Sequence, residues 1–104
     1  MKRLLEQVRK FRRERDWDRF HSPKNLAMAL MVEAGELVEH FQWLTEEQSR
    51  SLPPDKLAEV RDEIGDVLIY LVNICDKLGV DPVAAAHDKL EKNRIKYPIA
   101  RGDG

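Results

Sequence analysis

Two pairs of acidic residues are the side chains in this sequence best suited to chemistry. Glu33 precedes Glu36 by three residues, and Glu63 precedes Asp66 by three. Residues three apart on a helix lie on one face, so each pair presents two carboxylates together. If two such helices face each other, four carboxylates meet, and their mutual repulsion calls for a cation. Carboxylate oxygens are the ligands that Mg²⁺ and Mn²⁺ prefer, so a hard-metal site is one interpretation and a solvated acidic strip is the other.

The segments that must position these acids are predicted to be helices. Ser22 followed by Pro23 is a helix-start signal, and Asp81 followed by Pro82 is another, while Gly79 is a natural helix end. The first predicted long helix ends near Arg15. The other three run from Pro23 to about Phe41, from about Asp55 to Leu78, and from Val83 to about Lys96. Thr45 and Gln48 form a capping-box pattern that predicts one further short turn. No stretch of useful length alternates apolar and polar residues with the period of two that is typical of a strand, so the fold class is predicted to be all-α.

The second predicted helix is apolar over more than half of its circumference, which leaves its acids in a narrow polar strip. One neighbouring layer in a chain of 104 residues cannot cover so broad an apolar face. We therefore expect a homo-oligomer, in which a second copy supplies the missing burial.

The bulk composition limits the classes of partner. With 104 residues the chain is predicted to be a single domain, residues 1–104, with a loose tail at 101–104. The formal net charge of −1 disfavours nucleic acid polymers and anionic membranes as partners. A lone cysteine, Cys75, cannot form an internal disulfide and suits a reducing cytoplasm. No apolar run approaches the roughly 20 residues that cross a bilayer, and the N-terminal segment does not have the apolar region of a signal peptide.

Other metals fit the sequence less well. A di-iron bundle expects Glu-x-x-His on two helices, whereas His40 follows Glu36 by four residues and has no counterpart. The other histidines, His21 and His87, do not share a helical face with His40 at ligand spacing, and the chain has only one cysteine, so zinc is not expected.

The acidic pattern and its surroundings resemble the MazG-like nucleoside triphosphate pyrophosphohydrolases. That family carries Glu-Glu-x-x-Glu, a gap and Glu-x-x-Asp, and here Val32 replaces only the first Glu. The acidic motif alone also fits all-α dUTPases and phosphoribosyl-ATP pyrophosphohydrolases. The stretches RDW, FH-x-P-x-N, FQW and KLEKNRIKYP are more specific and are similar to the dCTP pyrophosphatase branch. One departure is Val8, where the branch often carries His on the first helix.

The resemblance covers nearly the whole chain and implies a four-helix, MazG-like bundle assembled through oligomerisation. It implies Mg²⁺-dependent cleavage of dCTP or modified dNTPs between the α and β phosphates, which yields the monophosphate and pyrophosphate. It also suggests a homotetramer with pockets at subunit boundaries.

Each candidate residue has an expected role. Glu33, Glu36, Glu63 and Asp66 are the expected metal ligands and catalytic acids, with Glu33 or Glu36 activating the attacking water. Trp17 and Trp43 are expected to stack on the base, since aromatic faces sandwich nucleobases. Side chains expected to contact the base or sugar also include His21, Asn25 and Tyr70. The resemblance of KLEKNRIKYP makes Lys89, Asn93 and Arg94 the expected phosphate-binding residues. Core packing for the tryptophans and a solvated face for the cations remain the alternatives.

Two other functions remain open on the sequence. One is a pyrophosphohydrolase of the same mechanism with little base preference. The other is a non-catalytic helical oligomer or regulatory partner, in which the acids are merely solvated and the tryptophans are interface anchors.

Overall fold

The computed structural model describes residues 1–99, and all regular structure within that range is helical. The helices are α1 (Lys2–Glu14), α2 (Pro23–Glu39), α3 (Glu46–Ser49), α4 (Pro54–Leu78) and α5 (Pro82–Lys96), and a 3₁₀ turn covers Asp18–Phe20. The all-α prediction is confirmed. The count of four becomes five because the short turn predicted after Thr45 is a helix of its own. The tail predicted to be loose, residues 101–104, lies outside the described residues.

Side-chain caps start three of the helices where the sequence predicted a start. Ser22 Oγ accepts a hydrogen bond of 3.1 Å from the backbone N–H of Asn25. Thr45 and Gln48 form a reciprocal capping box, with distances of 3.1 and 2.9 Å. Asp81 Oδ1 accepts from two backbone N–H groups at 2.9 and 3.1 Å. Each cap satisfies donors that the first helical turn leaves unpaired.

Two helices end in a left-handed residue. At the end of α4, Gly79 has φ 67°, and the N–H of Val80 reaches back to the carbonyl of Cys75 at 2.8 Å. Asp16 has φ 54° after α1, and the N–H of Trp17 reaches the carbonyl of Arg12 at 3.1 Å. Both ends are Schellman motifs, which usually carry glycine at the left-handed position. Helix α2 ends at Glu39 rather than near Phe41, because the backbone continues in tighter i,i+3 turns.

Helix α4 packs against both α2 and α1, and most of its contacts are with α2. His40 lies beside Glu59, whereas Glu36 and Glu33 lie beside Glu63, so rising residue numbers on α2 meet falling numbers on α4. The two helices are therefore antiparallel. Helix α5 makes only sparse contacts with the rest of the described chain.

Few apolar side chains are buried in this single chain. Those buried among residues 1–99 are Val8, Leu26, Val60 and Val72. Met31 on α2 is 71% exposed, and Ile95 on α5 is 82% exposed. The radius of gyration is 17.4 Å, against about 13 Å expected for a compact domain of this length. Part of the apolar face predicted on α2 thus stays open to solvent.

None of the helices in residues 1–99 combines the length and the hydropathy that crossing a bilayer requires. The expected compartment stays a prediction from the lone cysteine.

A pair of glycine substitutions tests the helix ends. Gly79→Ala should lower the free energy of unfolding by about 1 kcal/mol, because an added Cβ disfavours a positive φ. No heavy atom lies within 4 Å of that Cβ, so the loss comes from the backbone alone. Gly35→Ala, within α2 and equally free of contacts, should raise the free energy of unfolding by about 0.5–1 kcal/mol. Urea denaturation at one protein concentration measures both changes in the free energy of unfolding. Equal effects of the two substitutions would contradict the special role of the positive φ at Gly79.

Candidate metal centre

The packing of α2 on α4 brings three of the predicted acids together. One carboxylate oxygen from each of Glu33, Glu36 and Glu63 lies within 4.8 Å of the others. The three differ in burial: Glu63 is only 7% exposed, Glu33 is half-buried, and Glu36 is exposed. The group therefore has a buried floor on α4 and an opening to solvent beside Glu36.

This crowding changes the protonation of the acids. The pKa of Glu63 rises from 4.5 to about 8, first because Glu63 shares a hydrogen bond with Glu36, then because of burial and because of Glu33. Burial, followed by the hydrogen bond with Glu36, also raises the pKa of Glu33. Three carboxylates this close cannot all ionise without a compensating charge, so the metal-free group retains a proton.

The residues present fit a hard divalent cation. Glu33 Oε2 is buried and has no hydrogen-bond partner, which leaves a free acceptor on one residue of the group. Buried polar atoms are nearly always paired, so an unpaired carboxylate oxygen at this position fits the role of a metal ligand. Every donor in the group is a carboxylate oxygen, the chemistry that suits Mg²⁺ and Mn²⁺ rather than zinc.

Asp66, the fourth predicted acid, stands at the margin of this group. It is exposed and is not among the carboxylates that lie within 4.8 Å of one another. Its charge nevertheless contributes, as the weakest cause, to the raised pKa of Glu33, so it lies near that side chain. The structure thus joins three of the four predicted acids and leaves the last one a short distance away.

Glu36 and Glu63 line a cleft of about 500 Å³ between α2 and α4. The lining also includes Glu39, Lys56 and Glu59, none of which was a predicted site residue. His40 also lines it, with Nδ1 3.8 Å from Glu59 Oε2, as a polar edge residue. The antiparallel register would have revealed these neighbours, but the register depends on the tertiary packing.

A larger groove of about 640 Å³ lies between α1 and the turn joining α4 to α5. Its walls are mostly apolar, and no group of three metal-ligating side chains occurs there in the described chain. The candidate metal centre therefore lies at the smaller, acidic cleft.

Three of the predicted base-side residues lie in or next to the connection between α1 and α2. The ring of Trp17 contacts Phe11 edge-on at 5.5 Å and lies 6.1 Å from the ring of His21. Trp17 is 43% exposed, so part of its ring is open. His21 Nδ1 is buried without a partner, and burial followed by the charge of Arg12 lowers the pKa of His21. Asn25 has a structural contact here, since its Nδ2 donates to the carbonyl of Phe20 at 3.1 Å.

The second tryptophan lies at the opposite end of α2. Trp43 follows the helix and is 86% exposed, whereas Trp17 precedes it. The 17 residues of α2 span about 25 Å at 1.5 Å per residue. The two rings therefore do not meet within one chain. Tyr70 is half-buried one turn beyond Asp66, on the same helix as Glu63.

The predicted phosphate-binding residues lie on α5 and are not joined to the acids within one chain. Arg94 pairs with Glu91 on its own helix at 3.1 Å. Lys89 is exposed and Asn93 is half-buried. Among residues 1–99, no hydrogen bond or ion pair links these side chains to Glu33, Glu36 or Glu63.

The raised pKa of Glu63 predicts a particular pH dependence of stability. Above pH 4.5 the unfolded chain loses the proton that the folded, metal-free protein keeps until about pH 8. Folding therefore takes up a proton in this window, and the free energy of unfolding should fall as the pH rises through it. Glu63→Gln should remove that decline, and saturating Mg²⁺ should remove it in the unmodified protein, because metal binding displaces the proton.

Thermal unfolding between pH 5 and 9, with EDTA or with Mg²⁺, measures this dependence. Glu59→Gln alters an exposed acid on the same helix and should keep the unmodified slope. Identical slopes for the unmodified protein and Glu63→Gln would rule out the shared proton.

Comparison with known proteins places the chain in a family. Residues 28–104 match the model of the MazG-like family. The chain is 44% identical over 101 residues to dCTP pyrophosphatase 1 of Mus musculus, covering 91% of this chain and 59% of that protein. It is 42% identical over 100 residues to dCTP pyrophosphatase 1 of Homo sapiens, covering 90% of this chain and 59% of that protein. The chain thus spans about 59% of the length of these curated relatives.

A solved structure agrees with this result over almost its whole length. The crystal structure of a pyrophosphatase from Archaeoglobus fulgidus superposes with a TM-score of 0.90 at 42% identity, covering 95% of this chain and 93% of that one. The paired acids, the helical architecture and these matches lead to one conclusion: the chain belongs to the MazG-like family.

Proposed function

We propose that this protein is a Mg²⁺-dependent nucleotide pyrophosphohydrolase that cleaves dCTP, or a modified dNTP, between the α and β phosphates. The products would be the deoxynucleoside monophosphate and pyrophosphate, and the role would be the cleansing of nucleotide pools. The observation that carries the proposal is the three-carboxylate group on α2 and α4, in a chain 44% identical to a dCTP pyrophosphatase.

The acids divide the work of metal binding and water activation. Glu33, Glu36 and Glu63 would hold Mg²⁺, with Asp66 joining them once the repulsion is neutralised, and Mn²⁺ could substitute. A bound Mg²⁺ would supply a Lewis acid for the negative charge on the phosphate oxygens and would lower the pKa of water. Either Glu33 or Glu36 would orient the attacking water and accept its proton. Glu36 is exposed at the mouth of the group, so substrate and water can reach it.

The base and the far phosphates would be bound by the remaining predicted residues. Trp17 offers a partly open ring beside His21, which suits stacking on a base. Side chains proposed to complete the base and sugar contacts are Asn25, Trp43 and Tyr70, and those proposed for the phosphates are Lys89, Asn93 and Arg94. Guanidinium and ammonium groups on α5 suit the negative charge of a leaving pyrophosphate.

We propose further that the working form is a homo-oligomer, with a tetramer as the expected state, and that each site is shared between chains. The broad exposed surface of α2 and the sparse contacts of α5 support additional burial by a second copy. The separation of Trp17 from Trp43 along α2 supports a shared pocket, because one base can contact both rings only if they come from different chains.

An assay of products tests the activity. The purified protein, with Mg²⁺ and a panel of dNTPs and NTPs, should release pyrophosphate and monophosphate, with dCTP among the preferred substrates, and EDTA should abolish turnover. Glu36→Gln should lower kcat by about 10²–10⁴-fold, because the group loses a charged ligand and a candidate base. Asp66→Asn should also lower kcat.

Glu47→Gln is the matched control, since it makes the same change at an exposed acid on α3, outside the three-carboxylate group and outside the acidic cleft. It should retain activity within about twofold. Orthophosphate as the first product would contradict cleavage between the α and β phosphates. Equal turnover of every base would favour the broad-specificity alternative. No Mg²⁺-dependent turnover on any nucleotide, with tolerance of Glu36→Gln, would favour the non-catalytic oligomer.

Mixing two impaired variants tests the shared pocket. Trp17→Ala and Trp43→Ala should each weaken dCTP binding when purified alone, because each removes one stacking surface. After unfolding and refolding together, roughly a quarter of the pockets should carry both native rings by random pairing, so activity at low dCTP should recover to that extent. A mixture no more active than its components, with mixed oligomers confirmed by mass spectrometry, would contradict a pocket shared in this way.

A further inference from the structure

The connection that carries Trp17 and His21 is held by a charged network that the acidic cleft does not use. Between α1 and α2 the chain makes a left-handed turn at Asp16 and a single 3₁₀ turn at Asp18–Phe20. No side chain in the 3₁₀ turn is buried, so apolar packing does little to fix this connection. Its position must therefore depend on polar contacts with the neighbouring helices.

Asp18 supplies those contacts. Its Oδ1 accepts a hydrogen bond of 3.0 Å from Lys77 Nζ on α4. The same oxygen lies 2.5 Å from Arg12 Nε on α1. That Arg12 nitrogen has no hydrogen bond of proper geometry, so the contact is a charge pair rather than a directed bond. One carboxylate is thus held by cations from two different helices, and its pKa is lowered, chiefly by the hydrogen bond with Lys77.

Arg12 is itself immobilised by α4. Its side chain is only 8% exposed. Nη1 donates to Asn73 Oδ1 at 2.7 Å, and Nη2 donates to Asp76 Oδ2 at 2.8 Å. Asn73 is buried and donates in turn to the carbonyl of Ile69 at 3.1 Å. A planar guanidinium held by two directed bonds has little freedom to rotate, so its third nitrogen presents a fixed charge to Asp18.

Trp17 is adjacent to the residue that this network holds. On its other side, the Trp17 ring meets the edge of Phe11 at 5.5 Å, and Phe11 is covered by the guanidinium of Arg15 at 3.6 Å from the ring centroid. Phe11 lies on α1 one residue before Arg12. The side chain that contacts the Trp17 ring and the side chain that holds Asp18 therefore belong to the same helix. Trp17 therefore lies between its edge contact with Phe11 and the residue that the network holds.

We propose that Arg12 is a positioning residue for nucleotide recognition, which holds Asp18 and thereby fixes the direction in which Trp17 presents its ring to a base. The inference rests on the proposed function in one respect, that Trp17 stacks on the nucleobase. It predicts that loss of the contact between Arg12 and Asp18 weakens base binding and base discrimination, while the metal chemistry at Glu33, Glu36 and Glu63 continues.

Kinetics with matched variants test this role. Asp18→Asn removes the charge that Arg12 and Lys77 hold, at a half-buried position, and Arg12→Lys removes the planar fork. Both should raise KM for dCTP about 5- to 10-fold, the effect expected when stacking on one ring is weakened. Both should leave kcat within about twofold and reduce the ratio of kcat/KM between dCTP and dTTP. Arg9→Gln is the control, because Arg9 also binds Asp76, at 3.0 Å through Nε, but does not touch Asp18.

Fluorescence of the nucleotide-free protein provides an independent readout. In a Trp43→Phe background Trp17 is the only tryptophan. Adding Asp18→Asn or Arg12→Lys should shorten the anisotropy decay of Trp17, since a released ring moves on the nanosecond timescale. Adding Arg9→Gln should not. Circular dichroism establishes that each variant is folded, and Asp18→Asn alone decides the matter if Arg12→Lys fails to fold.

The outcomes separate this inference from the proposed function. Unchanged Trp17 anisotropy together with an unchanged KM in Asp18→Asn would contradict the positioning role of Arg12. A fall in kcat with constant KM, or an equal effect of Arg9→Gln, would reduce the network to a general structural role and also overturn it. A complete lack of turnover in the unmodified protein would overturn the proposed function and the link to base recognition, while the anisotropy would still decide whether Arg12 holds Trp17.

Discussion

The contact between α2 and α4 must satisfy two opposing demands. Apolar side chains draw the helices together, with Leu26 and Val60 in the small core, while Glu33 and Glu36 are brought against Glu63. Like charges at this separation repel, and the buried position of Glu63 strengthens the repulsion because solvent screening is weak there. The retained proton offsets the conflict when metal is absent. A divalent cation offsets it better, so the same contact that forms the fold prepares a metal site.

The rest of the molecule is arranged around this helix pair. Helix α1, whose Val8 is buried, is also joined to α4 by the Arg12 network, in which Asp76 accepts hydrogen bonds from both Arg12 and Arg9. The hydrogen bond from Arg9, followed by that from Arg12, lowers the pKa of Asp76 to about 2, so the acceptor stays ionised at neutral pH. A buried guanidinium is stable only where every neighbour is a good acceptor, which makes this contact geometrically selective rather than strongly stabilising.

Much apolar surface is left over once these contacts are made. Helix α2 exposes Met28, Met31 and Val38, and α5 exposes Leu90 and Ile95. A single chain of this size has too little core for such exposure to be incidental. In the proposed oligomer, a second copy would also bring together the proposed base and phosphate residues, which are spread over distant parts of one chain. Burial and site assembly would then depend on one event, the association of copies.

The local features of this protein were determined by its sequence alone. Helix starts at Ser22, Thr45 and Asp81 depend on a side chain reaching its own backbone two or three residues away, and the end at Gly79 depends on one residue's freedom to adopt positive φ. Such short-range chemistry can be read directly from residue order. The spacing of the acid pairs is equally local, which is why a carboxylate site was predictable.

Only the tertiary structure decided which side chains meet. It joined Glu33, Glu36 and Glu63 and left Asp66 at the margin. It also buried Arg12 against α4 and left α5 with only sparse contacts. These outcomes depend on the register between helices far apart in the chain. That register is set by the summed packing of whole faces, and no single residue type or spacing encodes it.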